Sequence, residues 1–260
     1  MRTPRVLVAR AAPGELIDLP PEEAHHLARV LRRRAGDPVV LIAGEGDCFQ
    51  GVVEAVEAAT GRGPGGARVK VRVGGPVPPG PRTLPWTVAV ALVRSADMDL
   101  AVRLGSELGL EGLAPLLCER GQVRERSGRP ERWERIAREA AKQCGRAEPL
   151  RVGAPLPLGE ALSLPFERRF IARPGGPAAT PADLAPSGRP VPSLFLVGPE
   201  GGFSEGEARA ADEAGVRTIG FPTPVLRTPT CVLLIAALGA LLASGEGSGE
   251  PLPADGAECG

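Results

Sequence analysis

The arrangement of apolar and polar positions changes once along the chain, near residue 76. Before that point, short apolar runs rich in β-branched residues alternate with glycine-containing turns, which is typical of β-strands; they read RVLVA, DPVVLIAG, CFQGVVEAVEA and ARVKVRV. The stretch LPPEEAHHLARVLRRRAGD differs, because its prolines, acids and closing glycine are the signals of a helix. Several short strands and one helix predict a small β-barrel over residues 1–75.

The predicted helix, which we expect to end near Gly36, has two distinct faces. Ala24, Leu27 and Leu31 recur at the spacing that places them together on one apolar side. The same spacing gathers a second set of residues, the basic strip, which consists of His25, Arg29, Arg32 and Arg33.

After a linker rich in proline and glycine, predicted at 76–85, apolar runs of strand length alternate with runs of helical period. We expect strands at 86–93, 112–117, 168–173, 193–198 and 216–220, and helices at 97–109, 130–144, 205–214 and 229–243. This alternation predicts an α/β domain with a mainly parallel sheet over 86–243. Residues 174–192 are expected to form a long mobile loop, and 244–260 a disordered tail.

Charge and composition narrow the class of protein. The 260 residues carry 31 acidic and 31 basic side chains, and this zero net charge argues against a general affinity for polyanions. The charge is unevenly spread, since residues 118–151 hold ten bases and six acids, which favours a local basic surface. Only Lys70 and Lys142 are lysines, so the chain is rich in arginine and a single arginine is weak evidence of function.

Several other classes are disfavoured by the sequence. The five cysteines show no C-x-x-C spacing and are accompanied by only two histidines, so neither a disulfide framework nor a metal site is expected. The start of the chain has no sustained apolar core of a signal peptide. The longest apolar run, 231–243, is too short to cross a bilayer. We therefore expect a cytoplasmic protein that binds neither a metal nor a membrane.

Two loops carry the signals of a ligand site. The first, 198–203, follows the apolar run LFLV and leads into a helix that Ser204 and Glu207 cap as an S-x-x-E pair. The second, 221–228, leads from a predicted strand into another helix, with Thr228 as its expected N-cap and a proline next to it. Ligands of open α/β sheets bind at the carboxyl ends of strands, so we expect the two loops to form one site.

The first loop also limits the kind of ligand. Glycines allow a close approach to the backbone, and such a turn before a helix is a common phosphate site. Glu200, however, places a carboxylate in the loop, and two like charges about 4 Å apart repel by on the order of 4 kcal/mol at an effective dielectric constant of about 20. A neutral or cationic ligand with adenine-like edges fits better, and the alternative is that 198–202 is only a tight turn.

The residues of these loops and of three further segments resemble the SPOUT-class RNA methyltransferases. The resemblance is greatest to the bacterial enzymes that methylate N3 of a uridine in 16S ribosomal RNA. The matching segments are LVGPEGGFSEGEARAADEAGV, LRTPT, HHLARVLRRRAGDPVVL, SELGLEGLAPLLCERG and RWERIAREAAKQCGRAEPLRV. They cover nearly the whole chain except 174–192 and the tail. The resemblance implies a PUA-like RNA-binding barrel, a C-terminal α/β domain with a deep trefoil knot, a homodimer, and S-adenosylmethionine as methyl donor.

The resemblance also implies roles for individual residues. The methyl donor is expected to contact Leu196, Gly198, Glu200, Gly201, Gly202, Phe221, Leu226, Arg227 and Thr228. The uracil must lose its N3 proton, so a nearby cation is expected to stabilise the anion, and the candidates are Arg146 and Arg227. The basic strip is expected to bind RNA phosphates. A solvated surface is the alternative for both arginines and for the strip.

The chain departs from the family pattern around the second loop. FPTP precedes LRT where the family usually has L-G-x-R, and PTC follows where E-T-A is usual, so Pro229 replaces a glutamate. Arg94 stands where a lysine is common. Two alternative functions therefore remain open. One is another knotted RNA methyltransferase, such as one acting on a ribose 2′-hydroxyl. The other is an RNA-binding ribosome-assembly factor without catalysis, which Pro224 and Pro229 motivate.

Overall fold

The structure is a computed structural model that describes residues 3–44, 47–58, 67–78, 83–121 and 130–244. The described residues form two compact units, one from 3–78 and 141–148 and the other from 83–140 and 149–244. The predicted linker lies partly outside the described residues, and so does the predicted tail apart from Ser244, the last residue of a helix. The domain boundary at 76–85 therefore stays a prediction.

The first unit is built on a mixed β-sheet. Its elements are β1 (Arg5–Val8), β2 (Leu16–Asp18), helix α1 (Pro21–His25) with a π-helical turn (His26–Val30), β3 (Pro38–Ala43), β4 (Asp47–Ala58) and β5 (Ala67–Val77). The described strands are ordered β1-β3-β4-β5-β2, with β1 and β3 parallel and the other pairs antiparallel. Because side chains alternate across a strand, Val69 and Val71 enter the core, to which the helix contributes Leu27.

The helix of this unit ends earlier than the sequence predicts. Its π-helical turn stops at Val30, and Arg32 has a left-handed backbone with φ 52°. The amide of Arg33 donates to the carbonyl of Leu27 over 2.9 Å, which closes the helix end. Ala24 and Leu27 are buried, as predicted. The expectation that Arg32 and Arg33 continue one helical face is wrong, because the arginine-rich segment after the turn offers little apolar surface to bury.

The second unit is an α/β domain, as predicted. Its elements are β6 (Leu84–Ala91), α2 (Ser95–Leu108), β7 (Leu110–Leu117), α3 (Pro130–Cys144), β8 (Arg151–Val152), β9 (Leu156–Pro157), α4 (Leu158–Leu162), β10 (Arg168–Ala172), α5 (Pro181–Leu184), β11 (Ser193–Val197), α6 (Glu205–Glu213), β12 (Arg217–Ile219) and α7 (Thr228–Ser244). The last residues of α3, from 141 onward, belong to the first unit. The described strands are ordered β12-β10-β11-β6-β7-β8, with β9 also beside β7, and these pairs are parallel.

Helices cover both faces of this sheet. Successive residues of β6 point to opposite faces, so Val88 joins one hydrophobic core and Ala89 the other. Helices α2, α3 and α7 close the first core, whereas α4 and α6 close the second. Helix α7 packs closely at Gly239, where a Cβ atom would lie 2.6 Å from the Trp86 ring. No helix within the described ranges combines the length and the apolar character that a membrane span needs.

The chain crosses itself closely where β12 ends. The amide of Gly220 donates to the carbonyl of Pro177 over 2.6 Å, and the Gly220 carbonyl accepts from the amide of Ala179 over 3.0 Å. A Cβ atom at Gly220 would lie 2.4 Å from the carbonyl oxygen of Gly176, so the crossing requires glycine. The stretch 174–192, expected to be a long mobile loop, contains these contacts and the four-residue helix α5, and its mobility stays a prediction.

Candidate active site

A cavity of about 350 Å³ opens at the carboxyl ends of β10, β11 and β12. Its lining comes from three loops that follow these strands, from the start of α7, and from one side chain that follows β7. The lining residues are Arg120, Ala172, Arg173, Pro174, Gly175, Val197, Gly198, Pro199, Glu200, Gly201, Gly202, Phe203, Phe221, Thr223, Pro224, Val225, Leu226, Thr228 and Cys231. The two loops expected to share a site, 198–203 and 221–228, therefore lie around one cavity.

The loop after β11 exposes its backbone to the cavity. A Cβ atom at Gly198 would lie 3.1 Å from the ring of Phe203, so a larger residue would displace that ring. Gly202 has a left-handed backbone with φ 68°, and its amide donates to the carbonyl of Pro199 over 2.8 Å. These two glycines therefore form a tight turn in the wall of the cavity.

Helix α6 holds this loop in place through its cap. The hydroxyl of Ser204 accepts from the amide of Glu207 over 3.1 Å, and the Glu207 carboxylate accepts from the amide of Ser204 over 2.7 Å, so the predicted capping box is confirmed. The other carboxylate oxygen of Glu207 accepts from the amide of Glu119 over 2.8 Å. Glu207 therefore joins the loop after β11 to the segment after β7.

The segment after β7 is anchored on its other side by Cys118. Burial raises the pKa of the Cys118 thiol to about 12, and the negative charge of Glu207 adds to this rise. The neutral thiol packs in the second core of the sheet. Glu119 and Arg120 thus follow a fixed point of the backbone at the edge of the cavity.

The loop after β12 contacts the loop after β11 directly. The hydroxyl of Thr228 donates to the carbonyl of Gly198 over 3.3 Å. Thr228 is the first residue of α7, and the amide of Cys231 donates to the carbonyl of Arg227 over 3.0 Å. Thr228 therefore lies within the helix and is not the expected N-cap. Pro229 lies in the first turn of the helix, where a missing N–H leaves no helical bond unmade. Pro224 lies exposed on the cavity wall, and neither proline fills the cavity.

The cavity carries charges of both signs. Among the described lining residues, the ionisable side chains are Arg120, Arg173, Glu200 and Cys231. Burial raises the pKa of the Cys231 thiol to about 11, so Cys231 adds no charge to the cavity wall near neutral pH. Each arginine offers N–H donors to an anionic group, such as a carboxylate, and Glu200 offers an acceptor to an ammonium or other cation. This combination suits a zwitterionic ligand, with Val197, Phe221 and Leu226 as apolar surface.

The predicted donor-binding residues are mostly brought together. Gly198, Glu200, Gly201, Gly202, Phe221, Leu226 and Thr228 line the cavity. Leu196 is buried within β11, one residue before the lining begins, and Arg227 is exposed beside the cavity without lining it. Arg146 belongs to the first unit and is buried, and burial lowers the pKa of its guanidinium from the ordinary value.

Sequence reasoning missed part of the cavity wall. The loop after β10 contributes Arg173 and Gly175, and the segment after β7 contributes Arg120. The sequence does predict both strands, but it does not show that β10 and β11 are neighbours in the sheet. The usable signal was the RPGG motif at the end of a predicted strand, because it contains a proline followed by two glycines, as does the GPEGG motif after β11.

The basic strip is more dispersed than the sequence predicts. Arg29 is exposed in the π-helical turn, and Arg32 is exposed just beyond it. His25 and Arg33 are half-buried. The part of the chain that the structure describes contains no group of three or more histidine, cysteine, aspartate or glutamate residues arranged to hold a metal ion.

Comparisons with known proteins agree with this architecture. The model of an RNA methyltransferase domain matches residues 81–240, and that of an RNA methyltransferase PUA domain matches residues 19–58. The ribosomal RNA small subunit methyltransferase E of Mycobacterium bovis is 32% identical over 85% of this chain and 83% of its own length. The protein of the same name from Synechocystis is 29% identical over 90% of this chain and 77% of its own length.

Solved structures give the same result. A methyltransferase of Legionella pneumophila in complex with S-adenosylmethionine is 26% identical, with a TM-score of 0.81 over 93% of this chain and 98% of that one. The ribosomal RNA small subunit methyltransferase E of Neisseria gonorrhoeae, also bound to S-adenosylmethionine, is 26% identical, with a TM-score of 0.77 over 92% of this chain and 97% of that one. The predicted fold class, a PUA-like unit followed by a SPOUT methyltransferase domain, is confirmed.

Proposed function

The chain belongs to the family of RNA methyltransferases that carry a PUA domain, and from this membership we propose that it methylates N3 of a uracil in the RNA of the small ribosomal subunit. S-adenosylmethionine is the methyl donor. The observation that carries the proposal is the cavity at the ends of β10, β11 and β12, whose charges and glycine-lined wall suit that donor.

The chain's own residues fit the donor in kind. S-adenosylmethionine supplies an electrophilic methyl group on a positively charged sulfonium. Gly198, Gly201 and Gly202 line the cavity, and glycine allows an adenine or a ribose to approach the backbone closely. Glu200 offers a negative charge for the donor's cationic groups, and Arg173 offers a partner for its carboxylate. The donor has no phosphate, so the only anionic group that Glu200 must avoid is the donor's carboxylate, for which Arg173 is the proposed partner.

We further propose how the predicted catalytic arginines take part. Methyl transfer is a displacement in which positioning supplies most of the catalysis, and a cation near the uracil lowers the cost of its negative charge. Arg227 lies between two cavity-lining residues and its side chain is exposed, so it can reach a substrate at the cavity mouth. Arg146 is buried in the first unit, and burial already disfavours its charge. The nearby Cys144 and Glu148 act in the opposite direction and favour the charged form of Arg146.

We propose that the first unit contributes RNA binding. The exposed guanidinium groups of Arg29 and Arg32 are suited to phosphates, which fix the position of an RNA without reading its sequence. His25 and Arg33 support this surface from half-buried positions. The substrate, a ribosomal RNA, makes the cytoplasm the proposed location.

We also propose that the protein is a homodimer. One face of α7 is apolar and incompletely buried in the described chain, with Leu233 and Leu241 exposed and Leu234 and Ala237 half-buried. A helix that is apolar on nearly all sides is normally covered by other protein. A second copy of the chain is the proposed cover.

The proposed function is tested on small ribosomal subunits from a strain that lacks this gene. We expect the purified protein, with S-adenosylmethionine, to add one methyl group per subunit, located by mass mapping at N3 of a uridine. A methyl group on a ribose or on another base would assign a different reaction. No transfer despite donor binding would favour an assembly factor.

The donor cavity is tested by a matched pair of glycine variants. Gly198→Val places side-chain atoms against the ring of Phe203, where even a Cβ atom has only 3.1 Å, so we expect calorimetry to show at least about tenfold weaker donor binding. Gly206→Ala is the control, because its nearest neighbour would be 3.7 Å away and α6 accepts alanine readily. Equal donor affinity of both variants would place the donor elsewhere.

A further inference from the structure

We propose that Arg120 is a further catalytic residue, which stabilises the negative charge of the uracil while its N3 attacks the methyl carbon. The inference deepens the proposed function and rests on it. Arg120 was not among the residues that the sequence indicated, and it reaches the cavity from β7, two strands away from the glycine loop.

The position of Arg120 is set by the glycine loop itself. Its Nη1 donates to the carbonyl of Gly201 over 3.2 Å. Its aliphatic stem lies against the same residue, since a Cβ atom at Gly201 would be 3.6 Å from the Arg120 Cβ and 3.9 Å from its Cδ. Arg120 therefore lies along Gly201, in van der Waals contact with the loop, where it reaches the cavity.

The backbone next to Arg120 is held in place by contacts of the two residues that precede it. The amide of Glu119 donates to the Glu207 carboxylate, which also caps α6, and Cys118 is buried in the core. A cation on such a support needs little rearrangement when charge develops nearby, and this preorganisation is what makes a donor effective in catalysis. Arg120 itself is exposed, so a substrate can reach it.

The chemistry of arginine matches the charge that forms. The guanidinium is a planar fork of N–H donors, and the bond to Gly201 occupies Nη1, which leaves donors on the other nitrogens for a ligand. A uracil that has lost its N3 proton carries negative charge on O2, O4 and N3. One oxygen next to N3 can accept from the fork while N3 remains open to the methyl group.

The step balances without any further reactant. The N3 proton passes to solvent, and the electron pair left on N3 forms the bond to the methyl carbon. The bond between that carbon and the sulfonium sulfur breaks, its electron pair stays on sulfur, and the donor leaves as a neutral thioether. Arg120 keeps its charge throughout, so its contribution is electrostatic and is largest while the uracil is anionic.

The first test compares Arg120→Met and Arg120→Lys with the wild-type protein on target RNA. We expect kcat to fall about 100-fold in Arg120→Met, with donor affinity changed less than about threefold. Arg120→Lys should recover part of the rate, because it restores the charge but not the fork. When the target uracil is replaced by the more acidic 5-fluorouracil, the deficit of Arg120→Met should shrink to about tenfold or less. An equal deficit on both bases would overturn the proposal.

The second test needs no turnover. The RNA carries 5-fluorouracil at the target, the protein is saturated with S-adenosylhomocysteine, and fluorine NMR follows the ionisation of N3 with pH. We expect the wild-type protein to lower the N3 pKa on binding, and Arg120→Met to abolish most of that change. Arg173→Met, which removes the same charge from the same cavity, should keep it. Equal loss in both variants would show a general effect of cavity charge and contradict the role of Arg120.

These outcomes are separable from the proposed function. If the wild-type protein methylates no uracil N3 under mass mapping, the proposed function fails and Arg120 has no uracil anion to stabilise. If the wild-type protein does so while Arg120→Met keeps the wild-type rate and the wild-type N3 pKa, the proposed function stands and the inference about Arg120 fails.

Discussion

Arg32 has a backbone conformation that is unfavourable for a residue with a side chain. Its φ of 52° makes it the one non-glycine residue of the described chain with a left-handed backbone. That conformation costs an L-residue roughly 1–2 kcal/mol, and glycine is the usual choice directly after a helix end. Strained residues of this kind persist where the surroundings impose them and are concentrated at functional sites. We therefore interpret the arginine as retained for RNA binding.

Arg32→Gly separates stability from RNA affinity. The change removes backbone strain but increases the entropy of the unfolded chain, so we expect the free energy of unfolding to stay within about 1 kcal/mol of the wild type. The affinity for target RNA should fall, and its dependence on salt should become shallower because a phosphate contact is lost. Denaturant titration and RNA binding over a range of salt measure the two effects.

Arg10→Gly is the matched control for this change. Arg10 is also exposed in the first unit, and its backbone is not left-handed. The control loses the same charge at a position outside the basic strip. If the strip is the contact surface, Arg10→Gly should therefore reduce the RNA affinity less than Arg32→Gly does. Equal losses of affinity in the two variants would mean that only overall charge matters and that the strip has no special role.

Residue identities predicted much of the donor cavity and missed a defined part of it. The glycines, the capping pair and Thr228 are recognisable because each belongs to a short local sequence pattern. No such pattern distinguishes Arg120 from the other basic residues of a chain that has 31 of them. Its role depends on a contact with Gly201, 81 positions away, and only the tertiary structure brings those residues together.

At the scale of elements, the capping box of α6 does more than begin a helix. The motif S-x-x-E predicts the two bonds between Ser204 and Glu207, and both are present. It does not predict the bond from the amide of Glu119, which holds the segment after β7. The bond from the Ser204 amide is buried and that from the Glu119 amide is partly buried, so losing the Glu207 acceptor costs free energy at both amides.

The two members of the capping box should therefore differ in their contribution to stability. Ser204→Ala removes one acceptor, so we expect it to lower the free energy of unfolding by about 1 kcal/mol. Glu207→Ala leaves one buried and one partly buried amide without their acceptor and should cost more, about 2 kcal/mol. Chemical denaturation of both variants tests the order. If Ser204→Ala were the more damaging change, the bond to Glu119 would contribute little.

At the scale of the whole molecule, the order of elements was predictable and their neighbours in space were not. Alternating strands and helices predicted the α/β class correctly. The order β12-β10-β11-β6 cannot be deduced from periodicity, because any parallel arrangement of the same strands has the same pattern. That order places the loop after β10 beside the glycine loop, which explains why Arg173 was missed. The close crossing of Gly220 and Gly176 has the same origin, since it joins segments distant in sequence.

The proposed homodimer is the last property that belongs to the whole molecule. Leu241 is 68% exposed near the end of α7, on a face that also presents Leu233. An apolar helix face of this kind is stabilised by burial against a partner, at about 25 cal/mol for each Å² removed from water. Leu241→Glu would place a charge in that interface, so we expect the wild type to sediment as a dimer and the variant as a monomer. Leu16→Glu alters a leucine that is 41% exposed in β2 of the first unit, and it should remain a dimer. A wild-type protein that stays monomeric at micromolar concentration, or a Leu241→Glu variant that stays dimeric, would show that α7 is not the dimer surface.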